Sequence, residues 1–271
     1  MTVGPNDFSI MTHSLDVTKK NVNGYSKIFL FNEDVNFNFK NITNIDKDFF
    51  PFTPEYVRNK MKNKNRSGWV YQQLIKMYFS YIQSESENIL VIDADVFFTK
   101  KIKFFDENNK PFFTTSDEYN EAYFTHMKKV HPELTRALDK SGIAHHMMFN
   151  KNLLSSLIAM VEDYHKKPFF DVFIDEINHL ESSPCSEYEV YFNYVLKNHE
   201  KEYSLRTLKW KNTDKLKFRD FIGYEMISLP HYGETRPSDI ISNLKKRDIK
   251  KAQKSIYNYC FLKLLSLSIK I

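Results

Sequence analysis

Short apolar runs and helical patterns alternate along the first hundred residues. Strand-like apolar runs occur at 2–3, 27–31 and 88–92. The pattern between the first two runs favours a helix. Over 69–82 the apolar positions recur every three or four residues, which is typical of a helix with one buried face. A strand, a helix and a strand within about thirty residues indicate a βαβ unit and a parallel sheet.

The run at 88–92 differs from the others because it is continuously apolar and too short for a helix. Such runs are typical of central strands, and we expect this one to be buried on both faces. Residues 32–65 show no firm period and are predicted to be mostly loop, and the segment 168–183 is predicted to be rich in loops. The alternation of strands and helices predicts an α/β fold.

Two further elements are predicted in the second half of the chain. Residues 142–149 read as a strand, which would turn His145 and His146 to opposite faces, one inward as a structural residue and one towards a site. Ser186 begins a helix, and its spacing from Glu189 fits a capping box. We therefore expect Glu189 to cap the helix and to leave Glu187 free for another role.

Composition narrows the class of protein. The 271 residues are 42% hydrophobic and 15% aromatic, which is enough for a substantial core and excludes a wholly disordered chain. Only 6 glycines are present, and neither a Walker nor a Rossmann glycine fingerprint occurs. Two cysteines, Cys185 and Cys260, do not make a disulfide framework, and no secretory hydrophobic segment opens the sequence. We therefore expect a cytoplasmic location.

The net charge of +5 is unevenly distributed. Residues 238–271 carry 8 Lys or Arg against 2 Asp or Glu, so residues 1–237 have a net charge of −1. A neutral body lacks the cationic face that nucleic-acid binding needs, and we expect no nucleic-acid partner. The change in composition predicts two parts, a domain over 1–237 and a tail over 238–271.

The basic tail has apolar residues at broadly helical spacing, with lysines and arginines between them. Its last 16 residues contain 11 apolar ones but are too short to span a bilayer, which takes about twenty. Two interpretations stay open. Residues 240–271 form an amphipathic helix that lies on an anionic membrane, or they form a helix that closes the core or an oligomer interface.

Two acidic residues follow the apolar run at 88–92 directly. In open α/β sheets, ligands bind beyond the carboxyl ends of the strands, and there Asp93 and Asp95 can converge on one hard cation. Their mutual repulsion is costly without a metal ion. The plainer alternative is that one aspartate caps the next element or lies in solvent.

A histidine near the end of the neutral body is a candidate third ligand. His231 lies between Pro230 and Gly233 on a constrained turn, which suits a ligand presented to a site. A neutral imidazole together with two carboxylates is a plausible ligand set for Mn²⁺ and, less often, for Mg²⁺.

In this order, the motifs resemble those of the GT-A glycosyltransferases, which use a nucleotide-sugar donor. They are Val3-Gly4-Pro5-Asn6-Asp7, Gly68-Trp69-Val70-Tyr71-Gln72-Gln73-Leu74-Ile75-Lys76, Asp93-Ala94-Asp95, the Ser-Gly strand at 141–149, and His231-Tyr232-Gly233 with Arg236-Pro237. The first two resemble in particular an uncharacterised bacterial and viral group. The last is similar to the metal-binding histidine turn of retaining galactosyl- and glucosyltransferases. Together the motifs span residues 3–237.

The resemblance implies a GT-A fold, with a mostly parallel, Rossmann-like sheet flanked by helices. It also implies metal-dependent transfer of a sugar, with a UDP-sugar as the expected donor and a glycan or glycolipid as the acceptor. Mn²⁺ or Mg²⁺ would stabilise the departing diphosphate. Asp95 is then the first choice of direct ligand, Asp93 a ligand of the metal or a contact of the ribose, and His231 the ligand from the far side.

The same resemblance assigns residues to the donor. The turn that contains Gly4, Pro5 and Asp7 is where this fold usually meets the base and the ribose. Lys76 would neutralise a phosphate or touch the donor sugar, and the alternative is a solvated lysine on the surface of its helix.

Two further assignments concern neighbouring pairs of residues. Gln72 and Gln73 point about 100° apart on a helix, so at most one of them faces the ligand, and Gln73 is the candidate. His146, on the strand that passes under the donor sugar in this fold, is the candidate for contact with the sugar or a phosphate. His145 is then the structural residue.

The stereochemistry of transfer stays open. An inverting reaction needs a carboxylate that takes the proton of the acceptor hydroxyl, and Glu187 is the first candidate, with Asp117 in reserve. A retaining reaction needs no such base. The turn at His231 favours retention, whereas Glu187 favours inversion.

Two other classes of function are alternatives. An Asp-x-Asp after an apolar strand also opens phosphohydrolases of the haloacid-dehalogenase type, whose first aspartate is a nucleophile. However, Phe97 stands where they prefer Thr or Val, and the chain has no Gly-Asp pair. A degenerate scaffold of the transferase fold would bind UDP with Mn²⁺ but release no UDP from a UDP-sugar.

Overall fold

The first residues of the chain lie between two strands that run in the same direction. Thr2 makes parallel bridges to Phe31 on one side and to Asp93 on the other. The N–H of Val3 donates to the carbonyl of Phe31 at 2.8 Å. A helix connects the first segment to the second, so the predicted βαβ unit is confirmed.

The computed structural model describes residues 1–4, 7–32, 39–82, 84–214 and 218–230. Within these ranges the chain forms eight α-helices and nine β-strands. The helices are α1 (Phe8–Asn21), α2 (Pro54–Lys60), α3 (Ser67–Tyr78), α4 (Glu121–Val130), α5 (Lys151–His165), α6 (Phe169–Asp175), α7 (Glu187–Asn198) and α8 (Phe218–Gly223). The strands are β1 (Phe29–Leu30), β2 (Thr43–Asn44), β3 (Asn88–Ile92), β4 (Val96–Phe98), β5 (Phe112–Thr115), β6 (His146–Asn150), β7 (Ser204–Thr207), β8 (Trp210–Asn212) and β9 (Met226–Ser228). The predicted α/β class is confirmed.

The strands pair in both directions. β1 with β2, β5 with β7, and β8 with β9 are parallel pairs. β3 with β6 and β4 with β9 are antiparallel pairs. The N–H of Asp93 donates to the carbonyl of His145 at 3.1 Å, so the chain enters β6 beside the carboxyl end of β3 and has to run back along it. The sheets are therefore mixed, and in the described part of the chain three strand pairs are parallel and two are antiparallel.

Strand β3 is buried over only part of its length. Val91 and Ile92 are buried, but the first three residues are half-exposed, which contradicts the expected burial on both faces. Ile89 and Leu90 line an apolar cavity of about 590 Å³, together with Phe29. The buried half of β3 is the half that leads to the two aspartates.

Strand β6 begins one residue after His145, not at residue 142 as predicted. His145 has a left-handed backbone with φ of 55°, which interrupts an extended strand. The alternation of faces along a strand therefore does not govern the two histidines. They point to different surroundings because the backbone turns between them.

Two helices lie in segments that were predicted to be loop. In α2 the hydroxyl of Thr53 accepts from the N–H of Tyr56 at 3.1 Å, and Pro54 occupies the first turn. In α6 a proline, Pro168, precedes the first residue of the helix. Lys60 of α2 forms ion pairs with Asp171 and Asp175 of α6, so the two helices are joined at the surface.

Helix α3 buries most of the face that its pattern predicts. Val70, Leu74 and Met77 are completely buried, but Tyr81 follows the end of the helix in a 3₁₀ turn and is exposed. Helix α7 packs against α3 and is buried from Glu187 to Leu196. Among the polar residues that these two helices bury, Lys76 and Glu187 form an ion pair next to Asp93, which follows β3.

In the described part of the chain, no helix combines the length and apolar character needed to cross a bilayer. Residues 1–229 form one compact unit. The predicted boundary at 237, the tail and its two interpretations all lie outside the described residues.

Candidate functional site

The two aspartates lie in a tight turn at the carboxyl end of β3. The N–H of Val96 donates to the carbonyl of Asp93 at 3.3 Å and closes the turn. The N–H of Leu229 donates to the carbonyl of Asp95 at 3.1 Å and fixes the turn to the end of β9. The backbone of the turn is therefore held from both sides, and its two carboxylates are positioned by the fold.

A histidine joins the two carboxylates. Asp93, Asp95 and His145 each offer one ligand atom, and these atoms lie within 4.8 Å of one another. Nδ1 of His145 is 3.4 Å from Oδ2 of Asp93. Its Nε2 is buried and has no hydrogen-bond partner among the described residues. This donor set fits a divalent cation such as Mn²⁺.

Asp93 is held in its ionised form. Its Oδ1 is 2.6 Å from Nζ of Lys76 and accepts a hydrogen bond from the hydroxyl of Tyr188 at 3.0 Å. Burial alone would raise the pKa of Asp93, but the charge of Lys76 and the hydrogen bond with His145 outweigh it and hold the pKa well below its usual range. For His145, burial would lower the pKa, but Asp93 holds it above its usual value.

Asp95 has the opposite environment. Burial and then the negative charge of Asp93 raise its pKa to about 6. Its Oδ1 is buried and has no hydrogen-bond partner in the described part of the chain. A buried carboxylate oxygen without a donor is costly, and a cation at this point would remove the cost. Asp95 is therefore the carboxylate that is most open to a metal ion.

Lys76 lies beneath the two aspartates as a buried cation. Its Nζ is 2.9 Å from Oε1 of Glu187 and 4.6 Å from the centre of the Tyr188 ring. Burial would lower the pKa of Lys76, but Asp93 and Glu187 raise it well above its usual value. The alternative of a solvated lysine is excluded, because only 6% of the side chain is exposed.

Glu187 is fixed inside the protein at the first turn of α7. Its side chain is 1% exposed, and burial raises its pKa although Lys76 opposes the change. Its N–H donates to the side-chain oxygen of Gln73 at 3.4 Å, so Gln73 faces the start of α7. In this geometry Glu187 holds Lys76 in position. The sequence instead predicts that Glu187 is a base that reaches the acceptor hydroxyl.

The expected capping box is only half formed. The hydroxyl of Ser186 accepts from the N–H of Glu189 at 3.2 Å, as predicted. The carboxylate of Glu189 does not return to cap the helix and instead accepts from the hydroxyl of Ser141 and from the N–H of Gly142. Glu189 thereby holds the segment that leads to His145.

His146 lies in the core and not on the side of the aspartates. Its Nδ1 is 2.7 Å from the carbonyl of Ala144, and its Nε2 is 3.0 Å from the hydroxyl of Thr114. Burial, followed by the charge of Arg206, lowers its pKa to about 3. The geometry therefore exchanges the expected roles of the two histidines: His146 is the structural residue, and His145 belongs to the acidic site.

The N-terminal turn influences the candidate site through the charge of Asp7. The N–H of Gly4 donates to Oδ2 of Asp7 at 3.2 Å, and the charge of Asp7 contributes to the raised pKa of Asp95. A Cβ at Gly4 would meet Nε2 of Gln72 at 2.9 Å. Of the two glutamines, Gln72 is thus the one that faces this turn.

Of the remaining candidates, one is exposed and two lie outside the described residues. Asp117 is 87% exposed and forms an ion pair with Lys140. Pro5 and His231 lie outside the described residues.

A family model described as "Family of unknown function (DUF6492)" matches residues 32–218, well over half of the chain. The chain belongs to this family. No curated protein matches it. The DUF6492 region contains the whole cluster around Asp93, whereas Gly4, Asp7 and His231 lie outside it.

Within the DUF6492 region, the structure adds site residues that the sequence did not single out. The sequence assigns no role to Tyr188 and predicts that His145 is structural. The available signal for Tyr188 was its place next to Glu187 at a capped helix start. For His145 the only signal in the sequence is the pair of adjacent histidines. Its left-handed backbone is set by contacts with β3, and the local sequence does not show such contacts.

Proposed function

We propose that the chain is a GT-A-type glycosyltransferase that moves a sugar from a nucleotide-sugar donor, expected to be a UDP-sugar, to a glycan or glycolipid acceptor. One observation carries the proposal. Asp93, Asp95 and His145 converge at the carboxyl end of β3, and an oxygen of Asp95 is buried without a hydrogen-bond partner in the described residues. This end of a strand is where α/β folds bind ligands.

The three residues suit different parts of a metal site. When bound, a divalent cation would stabilise the charge that develops on the departing diphosphate. Oδ1 of Asp95 is the direct ligand, because no described protein group competes for it. Nε2 of His145 offers the second donor atom. Asp93, whose oxygens already contact Lys76, Tyr188 and His145, sets the position of the other two.

Lys76 has a positioning role in this proposal. It neutralises part of the negative charge of Asp93 and Glu187, so the site carries a smaller excess of negative charge when a diphosphate approaches. The proposal does not require Lys76 to contact the donor.

The burial of Glu187 favours transfer with retention of configuration. A general base has to reach the acceptor hydroxyl and to accept its proton, whereas Glu187 is enclosed and paired with Lys76. Among the two candidate bases, only Asp117 is open to solvent.

The experiment that tests the proposal is calorimetric titration of UDP with and without Mn²⁺, followed by measurement of UDP released from a panel of UDP-sugars. We expect Mn²⁺-dependent binding and slow release of UDP from at least one donor. Asp95→Asn should lose the Mn²⁺-dependent part of binding. Asp163→Asn, which changes an exposed aspartate of α5, is the matched control and should behave like wild type.

The outcomes separate the three classes of function. Binding of Mn²⁺ and UDP without release of UDP from any donor would indicate a nucleotide-binding scaffold. Metal-dependent release of inorganic phosphate from phosphate monoesters would indicate a phosphohydrolase. Equal binding by wild type and Asp95→Asn would overturn the assignment of the metal ligand.

A further inference from the structure

A second recess lies beside the acidic site, beyond the carboxyl ends of β5 and β7. These two strands are parallel, so their carboxyl ends meet at one edge. The hydroxyl of Thr114 on β5 is 3.0 Å from His146, which is the register partner of Ile92 at the end of β3. The recess and the aspartates therefore lie on the same edge of the fold.

The recess is an open cleft of about 470 Å³. This volume is in the range of small-molecule sites. It is lined by Thr115, Ser116, Asp117, Glu118, Lys140, Thr207, Leu208, Lys209, Trp210, Lys211 and Asn212. Hydroxyl, carboxylate, amide and ammonium groups thus surround one large aromatic ring. We call this recess the Trp210 cleft.

Two of the three lysines that line the Trp210 cleft form ion pairs with carboxylates, and the third, Lys209, has its Nζ 5.5 Å from the centre of the Tyr224 ring. Asp117 pairs with Lys140, and Lys211 is 2.7 Å from Asp220. Glu118 accepts a hydrogen bond from the amide of Asn212 at 3.1 Å. An anionic ligand such as a phosphate is best held by several unpaired cations, and Lys209 is the one lining lysine that forms no ion pair with a described carboxylate. The cleft is therefore better suited to a neutral ligand with many hydroxyl groups.

Trp210 connects the cleft to the acidic site. Its ring lies 5.2 Å from the ring of His145, at 79° to it. An indole ring offers an apolar surface to the C–H face of a pyranose, and the surrounding carboxylates and amide can bond its hydroxyls. A saccharide in the cleft would thus lie next to the residues that hold the metal ion.

We infer that the Trp210 cleft binds a neutral saccharide, with Trp210 contacting the sugar ring and Glu118 and Asn212 bonding its hydroxyls. This inference rests on the proposed function in taking the saccharide to be the acceptor of the transfer. It deepens that function because it names a neutral carbohydrate, and not an anionic lipid head group, as the part of the acceptor that is recognised.

Trp210 itself reports on binding. The chain has 2 tryptophans, so in a Trp69→Phe background all tryptophan fluorescence comes from Trp210. The probes are the methyl glycosides of glucose, galactose, mannose and N-acetylglucosamine, at millimolar concentrations. We expect at least one of them to change the fluorescence in a saturable way, and inorganic phosphate to cause no such change.

Variants then locate the binding site. Glu118→Gln in the Trp69→Phe background should weaken the binding of the effective glycoside at least tenfold. With that glycoside as acceptor, Trp210→Ala should raise its KM at least tenfold, and Trp210→Phe should restore most of the loss. Tyr164→Ala, which removes an exposed aromatic ring on α5, is the matched control and should leave the KM unchanged.

Failure of this inference and failure of the proposed function give different results. If no glycoside alters the fluorescence while Mn²⁺ and UDP bind, the cleft is not a saccharide site and the proposed function is unaffected. If a glycoside binds but no nucleotide sugar does, the cleft is a saccharide site and the proposed function fails. A saturable response to phosphate, or a glycoside response that Glu118→Gln leaves unchanged, would also overturn the inference.

Discussion

Asp95 carries a buried carboxylate whose Oδ1 has no hydrogen-bond partner among the described residues, next to the ionised Asp93. Without a metal ion, both burial and repulsion destabilise its charged form. We therefore expect Asp95→Asn to stabilise the metal-free protein by about 1–2 kcal/mol. Urea denaturation in the presence of EDTA measures this change.

The control is Asp163→Asn, whose carboxylate is exposed and should change stability by less than about 0.5 kcal/mol. A loss of stability in Asp95→Asn would mean that the carboxylate accepts hydrogen bonds in the folded state. The site would then be structural, and its use for a metal ion would lose its physical basis.

His126 gives the folded state an acid sensitivity that is independent of the metal site. It is buried on α4 with Nε2 2.8 Å from the carbonyl of Phe173, and burial lowers its pKa to about 4. An unfolded histidine takes up a proton near pH 6.5. Stability is therefore complete above pH 6.5 and is lost as the pH falls towards 4, by up to about 3 kcal/mol at 1.4 kcal/mol per pKa unit.

The measurement is the free energy of unfolding between pH 7 and about pH 4.5, compared between wild type and His126→Gln. The variant keeps a donor for the carbonyl of Phe173 but has no titrating ring, so its stability should fall less steeply. His13→Gln is the control, because His13 is only partly buried. Equal slopes for wild type and His126→Gln would contradict the expected role of burial.

The sequence predicts some of these residues better than others. Asp93 and Asp95 follow an apolar strand, and that local pattern was sufficient to locate them. The exchange of roles between His145 and His146 depends on a backbone angle at His145, which is fixed by the hydrogen bond from Asp93. Contacts between distant parts of the chain determine such an angle, and local periodicity does not report them.

At the scale of elements, a buried lysine at the interface between α3 and α7 lies between two carboxylates. Lys76 of α3 contacts Glu187 of α7 and Asp93. We expect Lys76→Met to cost at least about 3 kcal/mol, because it leaves both carboxylates buried without their cation. Lys76→Met with Glu187→Gln should recover part of this loss. Denaturant unfolding measures both variants.

Lys60 provides the matched control for that experiment. It also pairs with two carboxylates, Asp171 and Asp175, but its side chain is 28% exposed. Lys60→Met should cost less than about 1 kcal/mol. Comparable losses in Lys76→Met and Lys60→Met would show that the burial of Lys76 does not govern its contribution.

The segment before His145 packs closely against α7. A Cβ at Gly142 would lie 2.5 Å from Cγ of Phe192, which is fully buried. We expect Gly142→Ala to cost about 1–3 kcal/mol through overpacking, and Phe192→Leu in the same chain to recover part of it. Gly68→Ala on α3 is the control, since a Cβ there meets no atom within 4 Å, and it should be neutral or slightly stabilising.

The elements themselves show where local pattern is sufficient. α3 was predicted closely because its apolar residues follow a helical period and pack on one core. α2 and α6 are short helices of 7 residues each, and a helical period is hard to recognise over so few residues. The Thr53-Pro54 pair was a usable start signal for α2, since threonine caps helices and proline fits their first turn.

At the scale of the whole molecule, the sequence predicts the α/β class and the parallel βαβ unit but not the antiparallel pairing of β6 with β3. Apolar runs show that a segment is a strand, whereas pairing depends on how the chain returns after α4. The antiparallel entry of β6 is what brings His145 to the end of β3. The antiparallel pairing of β3 with β6 is thus the feature that completes the candidate site.

Through this arrangement, a metal ion bound at the candidate site would stabilise the whole molecule. Asp93 and Asp95 are linked to the N-terminal segment, to α3 and α7, and to β9 through Leu229.

A ligand that binds only the folded state stabilises it by about 2.7 kcal/mol at a hundred times its Kd. At about 2–4 °C per kcal/mol for a chain of this size, Mn²⁺ alone should raise the Tm by about 5–10 °C. EDTA should reverse the increase, and Asp163→Asn should show it in full. An equal increase in Asp95→Asn would mean that the ion binds elsewhere. Of Asp93 and Asp95, it is Asp95 that has a carboxylate oxygen without a hydrogen-bond partner in the described residues.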